Sequence, residues 1–134
     1  MSNNISEILE CLRNGEIIMV SDDPDRENEC DLICSAEHLT TEQMAFIIRY
    51  SGGIVCVPCS SEILNKLEFN QMVSNNTDRH QTLFTVSVDY IPGTTTGISA
   101  SDRTKTIKAI CSDNSNPQDF QKPRHVPRVE EVPV

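Results

Sequence analysis

The chain has 134 residues, with 20 acidic against 11 basic, for a formal charge of −9. A surface this negative repels phosphate backbones and anionic lipid, which excludes general nucleic-acid binding and membrane docking as leading functions. No run reaches the roughly 18 apolar residues of a membrane span, and with 37% apolar residues and no Trp the core must be aliphatic and modest.

The length suits one domain. The first residues lack the basic and apolar regions of a signal peptide, so the expected location is cytoplasmic, with the six cysteines as reduced thiols. Ile5, Ile8, Leu9 and Leu12 follow helical spacing, which predicts a helix over 5–13 stopped by Asn14-Gly15. The apolar run after Gly15 predicts a buried strand over 16–20, and a second short strand is expected over 32–36. Thr40 or Thr41 caps a predicted helix over 42–50 with Met44, Ile47 and Ile48 inward. A third strand is expected over 54–57, stopped by Pro58, followed by a short helix from Ser60 or Ser61 through Leu67. Residues 68–82 read as irregular, and β-branched residues predict a fourth strand over 83–89. Asp102 is the expected cap of a helix over 103–111. Beyond it the prolines and lost periodicity predict an extended or poorly ordered tail over 112–134, so the domain is set at 1–111. This order implies an α/β (α+β) fold, a mixed β-sheet layered with helices.

Asp22 to Asp31 holds six carboxylates, with Asp23, Asp25, Glu27, Glu29 and Asp31 on alternate positions. If extended, those five share one face. Such a face is either solvated or gathers around a hard divalent cation, and Arg26 offers a fork of donors to a phosphate or carboxylate. The plainer reading is a solvated acidic loop. Gly93 to Arg103 places five hydroxyls beside a helix start. That is either a cradle for an anion or polyol, or an ordinary loop with a capped helix. Cys56-Val57-Pro58-Cys59 is a lone CxxC, short of the four ligands of a zinc site.

The segment Asp22-Asp23-Pro24-Asp25-Arg26-Glu27-Asn28-Glu29-Cys30-Asp31 resembles the DDxxRENEGD signature of 3,4-dihydroxy-2-butanone 4-phosphate synthases. The likeness continues in Thr41-Glu42-Gln43-Met44-Ala45-Phe46, in Gly53-Ile54-Val55-Cys56-Val57-Pro58 and in Phe84-Thr85-Val86. It resumes in Gly93-Thr94-Thr95-Thr96-Gly97-Ile98-Ser99-Ala100 with Asp102-Arg103, and Asp78-Arg79-His80 is nearest to fungal forms. The resemblance implies a lyase of riboflavin biosynthesis that turns D-ribulose 5-phosphate into formate and 3,4-dihydroxy-2-butanone 4-phosphate. It implies Mg²⁺ (or Mn²⁺), no organic cofactor, and a homodimer. Carried over, Asp22, Glu27, Asp31, Cys56 and His125 form the catalytic set. Arg26, Glu27, Asp31, Thr94 and Thr95 bind substrate, and Glu27 and Glu29 hold metal.

The match departs from the family at Cys30, where a Gly is usual, and at Arg124 in Pro123-Arg124-His125-Val126-Pro127, which stands for a PGHxxPL motif one residue longer. The family's GHTEA motif and a later Glu are not among these residues. The expectation is therefore a synthase shortened at its C-terminus. The alternatives are a catalytically impaired fragment or non-catalytic homologue, and a thiol redox or zinc module resting on Cys56 and Cys59.

Overall fold

The structure is a computed structural model and describes residues 4–126 and 128–130. Helix α1 spans Ile5–Arg13, and the Asn4 side chain accepts the Ser6 N–H at 3.1 Å. The chain then turns at Gly15, whose φ of 77° suits a residue without Cβ. The Gly15 carbonyl accepts a hydrogen bond from the Gln43 side chain, which ties this turn to the next helix.

Strands β1 (Ile18–Ser21) and β2 (Cys30–Ile33) form an antiparallel hairpin, with Ile18 opposite Ile33 and Ser21 opposite Cys30. The strand predicted over 16–20 starts two residues late and is not buried: Met19 is 71% exposed. An apolar run reports strand propensity, but it does not say what covers the strand.

Helix α2 (Thr41–Tyr50) begins with a reciprocal cap. Thr40 Oγ1 accepts the Gln43 N–H at 3.2 Å, and Gln43 Oε1 accepts the Thr40 N–H at 3.0 Å. Met44 is buried as expected and Ile47 is half-buried, whereas Ile48 is exposed. Strand β3 (Val57–Cys59) lies further on than the apolar run 54–57 and contains Pro58. It pairs in parallel with β6 (Arg128–Glu130). Among the described residues β3 pairs on one side, and a residue without an N–H is tolerated at an open edge. Ser60 caps the short α3 (Ser61–Lys66).

Strand β4 (Val88–Tyr90) pairs antiparallel with β5 (Phe120–Val126), with an irregularity between Val88 and Asp89. Between them runs α4 (Ala100–Ile110), which packs on α2 and β4. Its N-cap is Ser99, which accepts the Asp102 N–H at 3.0 Å. Asp102, the expected cap, lies inside the first turn and is buried.

The α/β class therefore holds, with the strands divided among three two-stranded ribbons in the described residues. Residues 112–126 are not a loose tail. Pro117–Asp119 makes a 3₁₀ turn, and Phe120 and Val126 are buried in the same cluster as Leu39, Met44, Leu67, Val88 and Ile107. Phe69 meets Phe120 edge to face at 5.2 Å between centroids. Lys122 Nζ donates to the Glu68 carbonyl at 2.8 Å, and Lys66 Nζ to that of Asp113 at 2.9 Å. Proline breaks the periodic signal of this strand without removing its apolar ends. The part of that expected tail at 127 and 131–134 lies outside the described residues. No helix among the described residues is long and apolar enough to cross a membrane.

Candidate functional site

The hairpin β1–β2 presents the acidic segment as its connecting turn. Asp22 organises it. Its Oδ1 accepts the Glu29 N–H at 2.9 Å, and its Oδ2 accepts the Glu27 N–H at 3.1 Å and Arg26 Nη1 at 2.9 Å. The Glu29 N–H in particular holds the Asp22 carboxyl below the usual carboxylate range, helped by the Glu27 N–H and Arg26. Asp23 Oδ1 accepts the Asp25 N–H at 2.8 Å, an Asx turn. Asn28 takes a φ of 53°, which Asn accepts more readily than most residues. Residues 24–27 are therefore turned, and the alternating face that an extended segment would give is not formed.

The fold brings Arg26 and Glu27 together, with Arg26 Nη1 3.1 Å from Glu27 Oε2. The other Glu27 oxygen faces His80 Nε2 at 3.7 Å. His80 was not among the expected site residues. It is held by Asp78, whose carboxylate accepts the N–H groups of His80 at 3.1 Å and Thr82 at 3.0 Å. The Thr82 N–H is the leading reason the Asp78 carboxyl titrates below its ordinary range. The only sequence signal was a charged triplet, Asp78-Arg79-His80, in a polar loop.

Glu29 and Asp31 stay exposed. Burial pushes the half-buried Cys56 thiol up, and the charge of Asp31 in strand β2 adds to it. All six cysteines are thiols. A protonated Cys56 is the opposite of the low-pKa thiolate that a CxxC redox module uses. Among the described residues no three His, Cys, Asp or Glu side chains are grouped as a metal site. Glu27 and Glu29 nevertheless offer hard, acidic oxygen donors from one ordered turn, and those suit a divalent cation that keeps several waters.

The hydroxyl loop is built on Asp102. Its Oδ2 accepts the Thr95 hydroxyl at 2.7 Å, the Gly97 N–H at 3.0 Å and the Thr95 N–H at 3.1 Å. The Thr95 hydroxyl leads in holding the Asp102 carboxyl below its ordinary range. The N–H groups expected to face an anion therefore point at a side chain of the protein itself. The Thr94 hydroxyl donates back to the Tyr90 carbonyl. Thr94, Thr95 and Thr96 line a cavity of about 200 Å³ together with Asp89, Tyr90, Ile91 and Gln121.

Beside this cavity, His125 Nδ1 lies 2.7 Å from Asp89 Oδ2, and the His125 backbone N–H donates to Asp89 Oδ1 at 3.1 Å. Asp89 read only as the end of a strand, and nothing in its spacing marked it. The acidic turn faces His80, while His125 is hydrogen-bonded to Asp89.

Taken together, fold and site define a mixed α/β domain with a carboxylate-rich turn, a hydroxyl loop and a carboxylate-backed imidazole. The family model for 3,4-dihydroxy-2-butanone 4-phosphate synthase matches residues 6–133, and the chain belongs to that family. A synthase of that name from Candida albicans is 53% identical over 129 residues, 96% of this chain and 63% of the relative. The Saccharomyces cerevisiae synthase is 44% identical over 132 residues, 94% of this chain and 64% of its own. Among solved structures, a 3,4-dihydroxy-2-butanone 4-phosphate synthase in complex with two magnesium ions superposes with a TM-score of 0.93 at 44% identity, covering 97% of this chain and 61% of that one. The chain thus spans about 60% of the length of the relatives it matches.

Proposed function

We propose that this chain carries the substrate-gripping part of a synthase that converts D-ribulose 5-phosphate to 3,4-dihydroxy-2-butanone 4-phosphate and formate, acting in the cytoplasm as a homodimer. The observation that carries this reading is the turn around Asp22, which aligns Arg26 and Glu27 by fixed hydrogen bonds. Arg26 supplies a planar donor fork to substrate oxygens. Asp22 stays ionised and acts by holding the turn, and Asp31 accepts from the sugar hydroxyls. Thr94 and Thr95 bind substrate from the lining of the cavity they share with Asp89 and Tyr90.

Glu27 and Glu29 would hold Mg²⁺ (or Mn²⁺), and a solved relative is a complex with two magnesium ions. A divalent ion held by these two carboxylates would supply Lewis-acid polarisation of sugar oxygens. The proton transfers fall to this chain's own groups. Glu27 offers a carboxylate, the Cys56 thiol is pushed up by burial and can give a proton, and His125 offers an imidazole held by Asp89.

The test is formate release from ribulose 5-phosphate with Mg²⁺, on a sample whose circular dichroism shows it folded. Formate in step with substrate loss supports the reading. A folded sample that releases none, beside an active full-length relative, defeats it.

A further inference from the structure

We infer that Asp89 is the positioning residue for His125, fixing the ring's tautomer so that Nε2 is the basic nitrogen. The inference rests on the reading of His125 as a proton-transfer group. Asp89 uses both carboxylate oxygens on one residue: Oδ1 takes the His125 N–H at 3.1 Å and Oδ2 meets Nδ1 at 2.7 Å. A carboxylate accepts, so Nδ1 is the donor of this pair, and in the neutral ring Nε2 is then the lone-pair nitrogen. The Asp89 side chain is 6% exposed against 33% for the ring, so a buried anchor holds a group that solvent and substrate can reach.

Gly97 supplies the space. A Cβ added there would overlap Asp89 Oδ2 and come within 2.9 Å of His125 Nδ1. The φ of 91° at Gly97 also favours a residue without Cβ. Asp102, through the Gly97 N–H, holds that backbone against the pair at 3.0 Å. The hydroxyl loop and the imidazole are therefore locked to each other by two aspartates, one on each side of Gly97. Asp89 also borders the cavity lined by Thr94, Thr95 and Thr96, which brings this pair to the edge of the hydroxyl site.

The experiment reads the ring directly, by long-range ¹H–¹⁵N correlation spectra of the whole chain labelled at histidine, at neutral pH. Wild type should show the Nδ1-protonated tautomer for His125, assigned by its loss in His125→Gln. Asp89→Asn should shift the ring toward the Nε2-protonated form. In a wild-type sample that releases formate, the same variant should lower kcat about 100-fold at nearly constant KM. An Nε2-protonated ring in wild type, or an unchanged tautomer in Asp89→Asn, overturns the inference. Should Asp89→Asn fail to fold, the wild-type spectrum decides alone. A correct tautomer in a folded chain that makes no formate sinks the proposed activity and leaves the Asp89–His125 assignment standing.

Discussion

The carboxylate of Asp22 reaches across seven residues to the backbone N–H of Glu29, at 2.9 Å, while its other oxygen takes the N–H of Glu27 at 3.1 Å. One side chain therefore sets the spacing of the two glutamates proposed to hold metal. Asp22→Asn keeps the size but replaces one acceptor oxygen by a donor that faces N–H groups. The turn should loosen, and the Glu27 and Glu29 amides should exchange about 5-fold faster, as the loss of one ordinary hydrogen bond implies. Amide hydrogen exchange by NMR checks this. Unchanged rates would mean that the hairpin register alone shapes the turn.

Glu27 stands between the Arg26 guanidinium at 3.1 Å and the His80 ring at 3.7 Å. Glu27→Gln removes the charge and keeps the shape. Any formate release should fall below about 1% of wild type, the size expected for losing a group that serves in proton transfer. Magnesium affinity, read by titration calorimetry, should weaken in the same variant. A Glu27→Gln protein that keeps both would move the metal and the chemistry elsewhere.

Asp102 gives a pH signature. Its folded-state carboxyl titrates below the ordinary value, chiefly because the Thr95 hydroxyl donates to it. A depressed group stabilises the fold above the unfolded value of about 3.9, and that contribution is lost as pH falls through the lower folded value. Wild-type Tm should therefore drop more steeply than that of Asp102→Asn between about pH 5 and pH 2. The variant should be less stable at neutral pH, with the gap closing in acid. A gap of constant size across that range would show that the charge on Asp102 is not what holds the loop.

How much of this was legible in the sequence depends on the range of the interaction. The Thr40–Gln43 box and the Ser60 cap are local, and the sequence narrowed each cap to two neighbours, Thr40 or Thr41 and Ser60 or Ser61. The acidic segment announced itself by charge, but its shape did not. The alternation of Asp23, Asp25 and Glu27 suggested a strand face, while the backbone turns because the Asp22 and Asp23 side chains bond to N–H groups within the loop. Strand β5 was hidden because Pro123 and the polar residues between Phe120 and Val126 mask a segment whose two ends are core. Asp89 and His125 are 36 positions apart, and only the β4–β5 pairing joins them. Asp102 looked like a cap because Asp often is one. Its role came from accepting Thr95 and Gly97, which no spacing rule encodes.

Leu67 is fully buried in the cluster that joins α3 to β5. Leu67→Ala should cost about 3 kcal/mol, within the usual 2–5 for such a deletion. Urea unfolding followed by circular dichroism measures it, with a lower midpoint at constant slope. Because Phe120 is buried in the same cluster, the variant should also speed exchange of the Phe120 amide. A loss confined to α3 would mean that β5 is held by the β4 ladder rather than by packing.

Cys56 offers a check on the charge environment that needs no turnover. Burial pushes its thiol up and the Asp31 carboxylate pushes it further, whereas Cys34 is raised by burial with no charge added. At pH 8 alkylation by iodoacetamide, followed by mass spectrometry, should modify the exposed Cys30 before Cys56. Asp31→Asn removes the added charge, so the thiolate fraction of Cys56 rises and its labelling should quicken about twofold, with Cys34 unchanged. If both thiols quicken together, the substitution has opened the structure instead of altering a field. If neither does, Asp31 and Cys56 do not share a site, and the proposed proton-donor role of Cys56 loses its neighbour.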